Sequence, residues 1–110
     1  MLYSVVECKI AIASSTTVSA LVDLENRAIV GLVLPALTST NLSFKVAANP
    51  TDTPVDLKNA DGTAITITAA TGGFAIDSDD LVCLAGYRWM QIIASVAQAA
   101  NRTFQLLIKG

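Results

Sequence analysis

The sequence predicts an all-β fold, an antiparallel β-sandwich of eight to ten short strands with a jelly-roll-like arrangement, occupying one domain over residues 1–110. Three observations lead there. Apolar residues recur with a period of two through most of the chain. Clusters of Asn, Asp, Gly, Ser and Pro interrupt the apolar runs about every ten residues. No stretch carries the 3.6-residue stripe of a long helix.

The elements follow in chain order. In "VVECKIAI", Val6, Cys8, Ile10 and Ile12 alternate with Glu7 and Lys9. "VSALVDL" puts Val18, Ala20, Val22 and Leu24 on one side, and "IVGLVLP" puts Ile29, Gly31 and Val33 on another. "LSFKV" sets Leu42, Phe44 and Val46 against Ser43 and Lys45. "VDLK" sets Val55 and Leu57 against Asp56 and Lys58. "AITITA" sets Ile65 and Ile67 against Thr66 and Thr68, and "RTFQLLIK" points Phe104, Leu106 and Ile108 inward. Turns are expected at 24–26, 38–41, 49–54, 59–62, 71–73 and 77–80, with Asp61-Gly62 the strongest hairpin signal. "SVAQAAN" at 95–101 reads either as a helical turn or as a loop.

The stretch "GYRWMQIIAS" departs from simple alternation. Met90, Ile92 and Ala94 form a face suited to the core, and Tyr87, Trp89, Gln91 and Ile93 form an opposite face that is also largely apolar. A strand apolar on both faces needs two covers, one from its own fold and one from a partner. Tyr87, Trp89, Gln91 and Ile93, with Ile29 and Val33 of the third run, are therefore the candidate interface. Arg88 is expected near the sheet end, within reach of the acidic "DSDD" turn.

Composition narrows the function. Hydrophobic residues make up 53% and charged residues 15% of the chain, against about 25% charge in an ordinary soluble domain. Mean hydropathy is +0.57. No run approaches the roughly 20 apolar residues of a spanning helix, and "MLYSVVECKI" lacks the pattern of a secretory signal. A membrane β-barrel would want aromatic girdles, for which six aromatics are few. The expectation is burial by partners in an oligomer, with no membrane association. The net charge of −2 and the lack of a basic cluster argue against nucleic acid.

Catalysis finds little support. Without histidine, the commonest general base and metal ligand is missing. No GxSxG, P-loop or GxGxxG occurs, and "TGGF" is too short to cradle a phosphate. Asp77, Asp79 and Asp80 are the one grouping that invites calcium, but "DSDD" lacks the glycine and the distant glutamate of an EF-hand loop, and a solvated turn explains it better. No catalytic residue, metal or cofactor is expected. Cys8 reads as a small buried hydrophobe, with a Cys8–Cys83 disulfide open for a protein working outside a cell. A carbohydrate- or receptor-binding sandwich on a tail, baseplate or cell surface, stacking sugars on Tyr87 and Trp89, is the alternative function.

The order of the motifs carries a resemblance over residues 18–110. Val30, Gly31 and Pro35 lead to Leu42, Phe44 and Val46, then Asp56-Leu57, Asp61-Gly62-Thr63 and Thr66 to Ala69. Gly86, Tyr87, Arg88 and Trp89 follow, and Arg102, Thr103 and Phe104 close the series. This series resembles small structural proteins of tailed-bacteriophage virions. The resemblance implies a non-enzymatic head decoration or cement protein on the capsid surface, made in the host cytoplasm. It also implies a homo-oligomer, a trimer above all, bridging subunits of a major capsid protein. Where relatives carry polar residues on the outward face of the Arg-containing strand, this chain has Tyr87, Trp89, Gln91 and Ile93, which favours contact with another subunit. An exposed first strand that adds to a partner's sheet fits the same picture.

Overall fold

In the computed structural model, residues 5–24, 28–77 and 87–109 are described. They form nine strands: β1 (Val5–Ile12), β2 (Val22–Asp23), β3 (Ala28–Val33), β4 (Ala36–Ala47), β5 (Val55–Asp56), β6 (Thr66–Gly72), β7 (Ala75–Asp77), β8 (Trp89–Ala94) and β9 (Arg102–Lys109). One sheet runs β1-β9-β3-β7; the other runs β2-β8-β4-β5, with β6 also paired to β4. Every pairing is antiparallel.

The pairings are nested. β1 pairs β9, β2 pairs β8, β3 pairs β7, and β4 pairs β5 and β6. This is one long antiparallel hairpin rolled on itself, and the β3·β9 and β4·β8 ladders close the roll into two sheets. That connectivity is a jelly roll, so the all-β sandwich expected from the period-two pattern is what the chain forms.

The alternation explains the core. Ile10 and Ile12 of β1, Leu42, Phe44 and Val46 of β4, Met90, Ile92 and Ala94 of β8, and Phe104, Leu106 and Ile108 of β9 are all buried between the sheets. Fully burying side chains of this size contributes about 1.5–3 kcal/mol each, which fixes register, because a one-residue slip would turn each set to solvent.

Four expectations need correction. Ile29 does not face outward with Val33; it is 6% exposed and lies in the core. The β3·β9 register runs Ile29↔Ile108 and then Gly31↔Leu107, so Val30 is an extra residue. The bulge reverses the parity, turning Ile29 inward and leaving Gly31 and Val33 outward. In the segment before β2, Val18 is 44% exposed and Ser19 is buried. The Ser19 Oγ accepts the Ile92 N–H at 2.8 Å and donates to the Ala20 carbonyl at 3.0 Å. Val55 is 62% exposed, since β5 is only two residues long and sits at the sheet edge.

The fourth correction is the turn expected at 38–41, which lies inside the twelve-residue β4. Here β8 has already ended opposite Leu42, and side chains from 95–101 take its place. Ser95 Oγ accepts the Asn41 N–H at 3.0 Å. Gln98 is buried, and its amide pairs with Thr38 as a strand would: Oε1 accepts the Thr38 N–H at 2.9 Å and Nε2 donates to the Thr38 carbonyl at 3.2 Å. The segment 95–101 is thus a loop, not a helical turn.

Two glycine turns matter: one closes a hairpin at 59–63, and the other, at 71–73, carries the chain from β6 in one sheet to β7 in the other. At 59–63 the Gly62 N–H bonds the Asn59 carbonyl, and Gly62 takes φ +87°. This is a tight turn followed by a left-handed residue, so the hairpin expected at Asp61-Gly62 is present. The Thr63 N–H donates to Asp61 Oδ1 at 2.9 Å, and this bond, with help from the Thr63 hydroxyl, holds the Asp61 carboxyl below its ordinary pKa. A depressed carboxylate adds stability above its unfolded pKa and loses it as pH falls through the folded one. At 71–73, Gly72 has φ +68°, and a Cβ there would lie 2.1 Å from the Pro35 carbonyl oxygen.

Two expected outcomes follow from these contacts. Gly62→Ala, with open space around it, should cost about 1–2 kcal/mol for the left-handed conformation. Gly72→Ala should cost clearly more, because backbone must also move; urea denaturation of the two variants checks the order. Gln98→Ala should cost about 2–4 kcal/mol by orphaning the Thr38 backbone groups, and faster amide exchange at Thr38 should accompany it.

Candidate functional site: the outward face of β8

β8 is paired along both edges. On one side its register with β4 sets Ile93, Gln91 and Trp89 opposite Ser43, Lys45 and Ala47. On the other, Trp89 stands opposite Asp23, and Val18 bridges Ile93. With Met90, Ile92 and Ala94 sealed in the core, Trp89, Gln91 and Ile93 have no choice but the outer surface, where all three are half-buried.

The tryptophan end of this face is built from neighbours of contrasting size. Ala47, directly across from Trp89, is 7% exposed. Its small side chain leaves room for the indole beside it. The Arg88 guanidinium carbon lies 5.7 Å from the indole centroid, within cation–π range. Arg88 also donates Nε and a terminal nitrogen to the two oxygens of Asp23, each at 2.9 Å. Asp23 is thus an acidic partner for Arg88. Residues 78–80, expected to supply one, lie outside the described residues, as does Cys83. The Trp89 Nε1 is buried and makes no hydrogen bond, a polar cost of about 1–3 kcal/mol that the protein carries in isolation.

Farther along the strand the surface is mixed. The Gln91 amide donates to the Ser19 carbonyl at 3.2 Å. Tyr87, just before the strand, is 40% exposed. The predicted interface residues therefore divide: Trp89, Gln91 and Ile93 share the outward face of β8, Tyr87 is exposed just before the strand, Val33 is half-buried on the outward side of the other sheet, and Ile29 belongs to neither surface. Sequence reading missed Val18 and Asp23 as members of the face. Asp23 had a signal, a lone acid beside the apolar run "LVDL", but its pairing across 65 residues with Arg88 needed the fold.

A second surface feature is a shallow depression of about 250 Å³ lined by Ser39, Thr40, Asn41, Thr68, Ala70 and Ser95. The Thr40 and Ser95 hydroxyls contact each other at 3.1 Å and also bond backbone, and the lining holds no charge or aromatic ring. Among the described residues no group of three His, Cys, Asp or Glu could hold a metal ion, and no helix is long and apolar enough to cross a membrane. Asp79 and Asp80 lie outside the described residues. Cys8 is half-buried and packs against the core.

No family model matches the sequence, and no curated protein does. A solved structure matches the whole fold: the SPBc2 prophage-derived protein YomS, with a TM-score of 0.63 over 100% of this chain and 96% of that one. The fold is shared with a prophage-derived protein. At 10% identity the likeness lies in the architecture.

The Arg88–Asp23 pair is exposed, so its contribution to stability is expected to be small. Asp23→Ala should destabilise by less than about 1 kcal/mol, while releasing Arg88 from its carboxylate anchor. A change in the near-ultraviolet circular dichroism of the single tryptophan, with an almost unchanged melting temperature, checks this.

Proposed function

We propose that the chain is a non-enzymatic structural protein of a tailed-phage virion. In this reading it is a head decoration or cement protein on the capsid surface. It docks the outward face of β8 on the major capsid protein and thereby bridges capsid subunits. The observation that carries the reading is the Trp89–Gln91–Ile93 surface, a half-buried, largely apolar strip on a strand locked by pairing on both edges. A rigid platform loses little conformational entropy on association. Tryptophan is the residue most often found to dominate such contacts.

The shared architecture with a prophage-derived protein supports the phage part of the reading. The ordered motif series from Val30 to Phe104 supports the virion part. The charge balance fits as well: Lys45, Arg88 and Asp23 border the strip and give it a polar rim. Carbohydrate recognition is less well supported, because a sugar platform needs an open ring plane and Trp89 is half-buried with Arg88 over it.

Purified protein should co-sediment saturably with mature heads of the phage that encodes it. Trp89→Ala and Ile93→Asp should each weaken that binding about tenfold or more while leaving the far-ultraviolet spectrum unchanged. Wild-type protein that stays in the supernatant, or variants that bind as wild type does, would contradict the reading. Binding to a glycan array that depends on Trp89 would replace it with the sugar-binding alternative.

A further inference from the structure

A β-sandwich has open edges, and each is a template for another chain. Among the described residues most edges are blunted. β7 is three residues long, and β2 and β5 are two each. β6 is longer, but its register to β4 shifts twice and Ala70 and Gly72 have positive φ. β1 differs. Among the described residues it ends its sheet, bridged on its other side at Ile12 alone, by Ser19; it runs eight residues, contains neither proline nor glycine, and pairs with β9 residue for residue from Val5↔Lys109 to Ile12↔Arg102 without a bulge. At about 3.4 Å per residue, the stretch from Val5 to Ala11 offers an edge of about 24 Å.

The occupant of that edge is read from β1's own charges. In an antiparallel pair of identical strands, the two-fold centre decides which residues meet. Centring on Glu7 puts two glutamates opposite each other, and centring on Lys9 does the same with two lysines; like charges directly across destabilise a pair. Centring on Cys8 sets Glu7 opposite the second copy's Lys9, twice over. The same register sets Ile10, which is 1% exposed and faces the core, opposite Val6 of the second copy. We propose that β1 is a self-association edge: two copies pair antiparallel through β1 about a two-fold at Cys8, joining their four-stranded sheets into one of eight.

This contact is isologous. It yields dimers, not the trimers that the family resemblance implies, and it stands whether or not the protein is a virion component. It also leaves the outward face of β8, on the other sheet, open.

The register places Cys8 opposite itself, with Cβ atoms about 4.5–5.5 Å apart before adjustment, close to the spacing a disulfide needs. The test uses the full chain carrying Cys83→Ser. Size-exclusion light scattering should give twice the 11.5 kDa chain mass, and mild oxidation with diamide should yield a covalent dimer on non-reducing gels that Cys8→Ser abolishes. Glu7→Lys or Lys9→Glu alone should raise the dimer dissociation constant about tenfold, and the double swap should restore it. Circular dichroism confirms that each variant folds. A protein that is monomeric at every concentration overturns the proposal. So does a dimer that ignores both charge swaps and forms no Cys8 cross-link.

Discussion

The antiparallel locking of β8 between β2 and β4 is the constraint on which the rest of the molecule turns. A strand bonded along both edges cannot rotate, so the parity of its side chains is absolute. Once Met90, Ile92 and Ala94 take their places in the core, the opposite row is committed to the surface. The position of the only tryptophan is therefore a consequence of the packing of its neighbour Met90 in the core, and any role of that surface inherits the rigidity of the ladder beneath it.

The same logic extends through the roll. Nested pairing brings together residues far apart in the chain, such as Asp23 with Arg88 and Thr38 with Gln98. Where the ladder runs out of strand, side chains finish it. Gln98 imitates a peptide group for Thr38, and the Ser19 hydroxyl serves the Ile92 N–H. Buried backbone groups must be satisfied somewhere, and here short polar side chains let a twelve-residue β4 survive past the end of its neighbour. The two sheets present outer faces of different character. One face carries the Trp89 strip, and the other sheet ends in the unbroken β1 edge.

Much of this architecture was legible in the sequence, because alternation is a direct image of a sandwich's inner faces. The inward rows of β4, β8 and β9 could be written from "LSFKV", "RWMQIIA" and "TFQLLI" alone. What escaped was wherever one residue broke parity or one side chain stood in for backbone. Val30 looks like any strand valine, yet as a bulge it turns Ile29 into the core. "TSTN" has turn chemistry, and it becomes strand because β6 pairs it along one edge and Gln98 and Ser95, more than fifty residues on, supply partners along the other. The hydropathy also overstated the apolar surface. Many apolar residues are alanines at exposed positions, such as Ala11, Ala13, Ala99 and Ala100. Among the described residues, the large exposed hydrophobics are Val18, Val55, Phe74, Tyr87 and Val96. The case for a covered surface thus rests on the arrangement of β8, with Val18 beside it, and not on bulk composition.

A jelly roll shared at 10% identity with a prophage-derived protein shows how little sequence the architecture demands, and it leaves the work of recognition to local faces. Because Trp89 is the sole indole, its fluorescence reports that face without ambiguity. The most direct measurement is acrylamide quenching of the isolated protein compared with the protein assembled on heads. The account predicts a ring accessible to quencher in isolation that becomes shielded, with blue-shifted emission, on assembly. Emission and quenching unchanged between the two states would show that the outward face of β8 contacts nothing there.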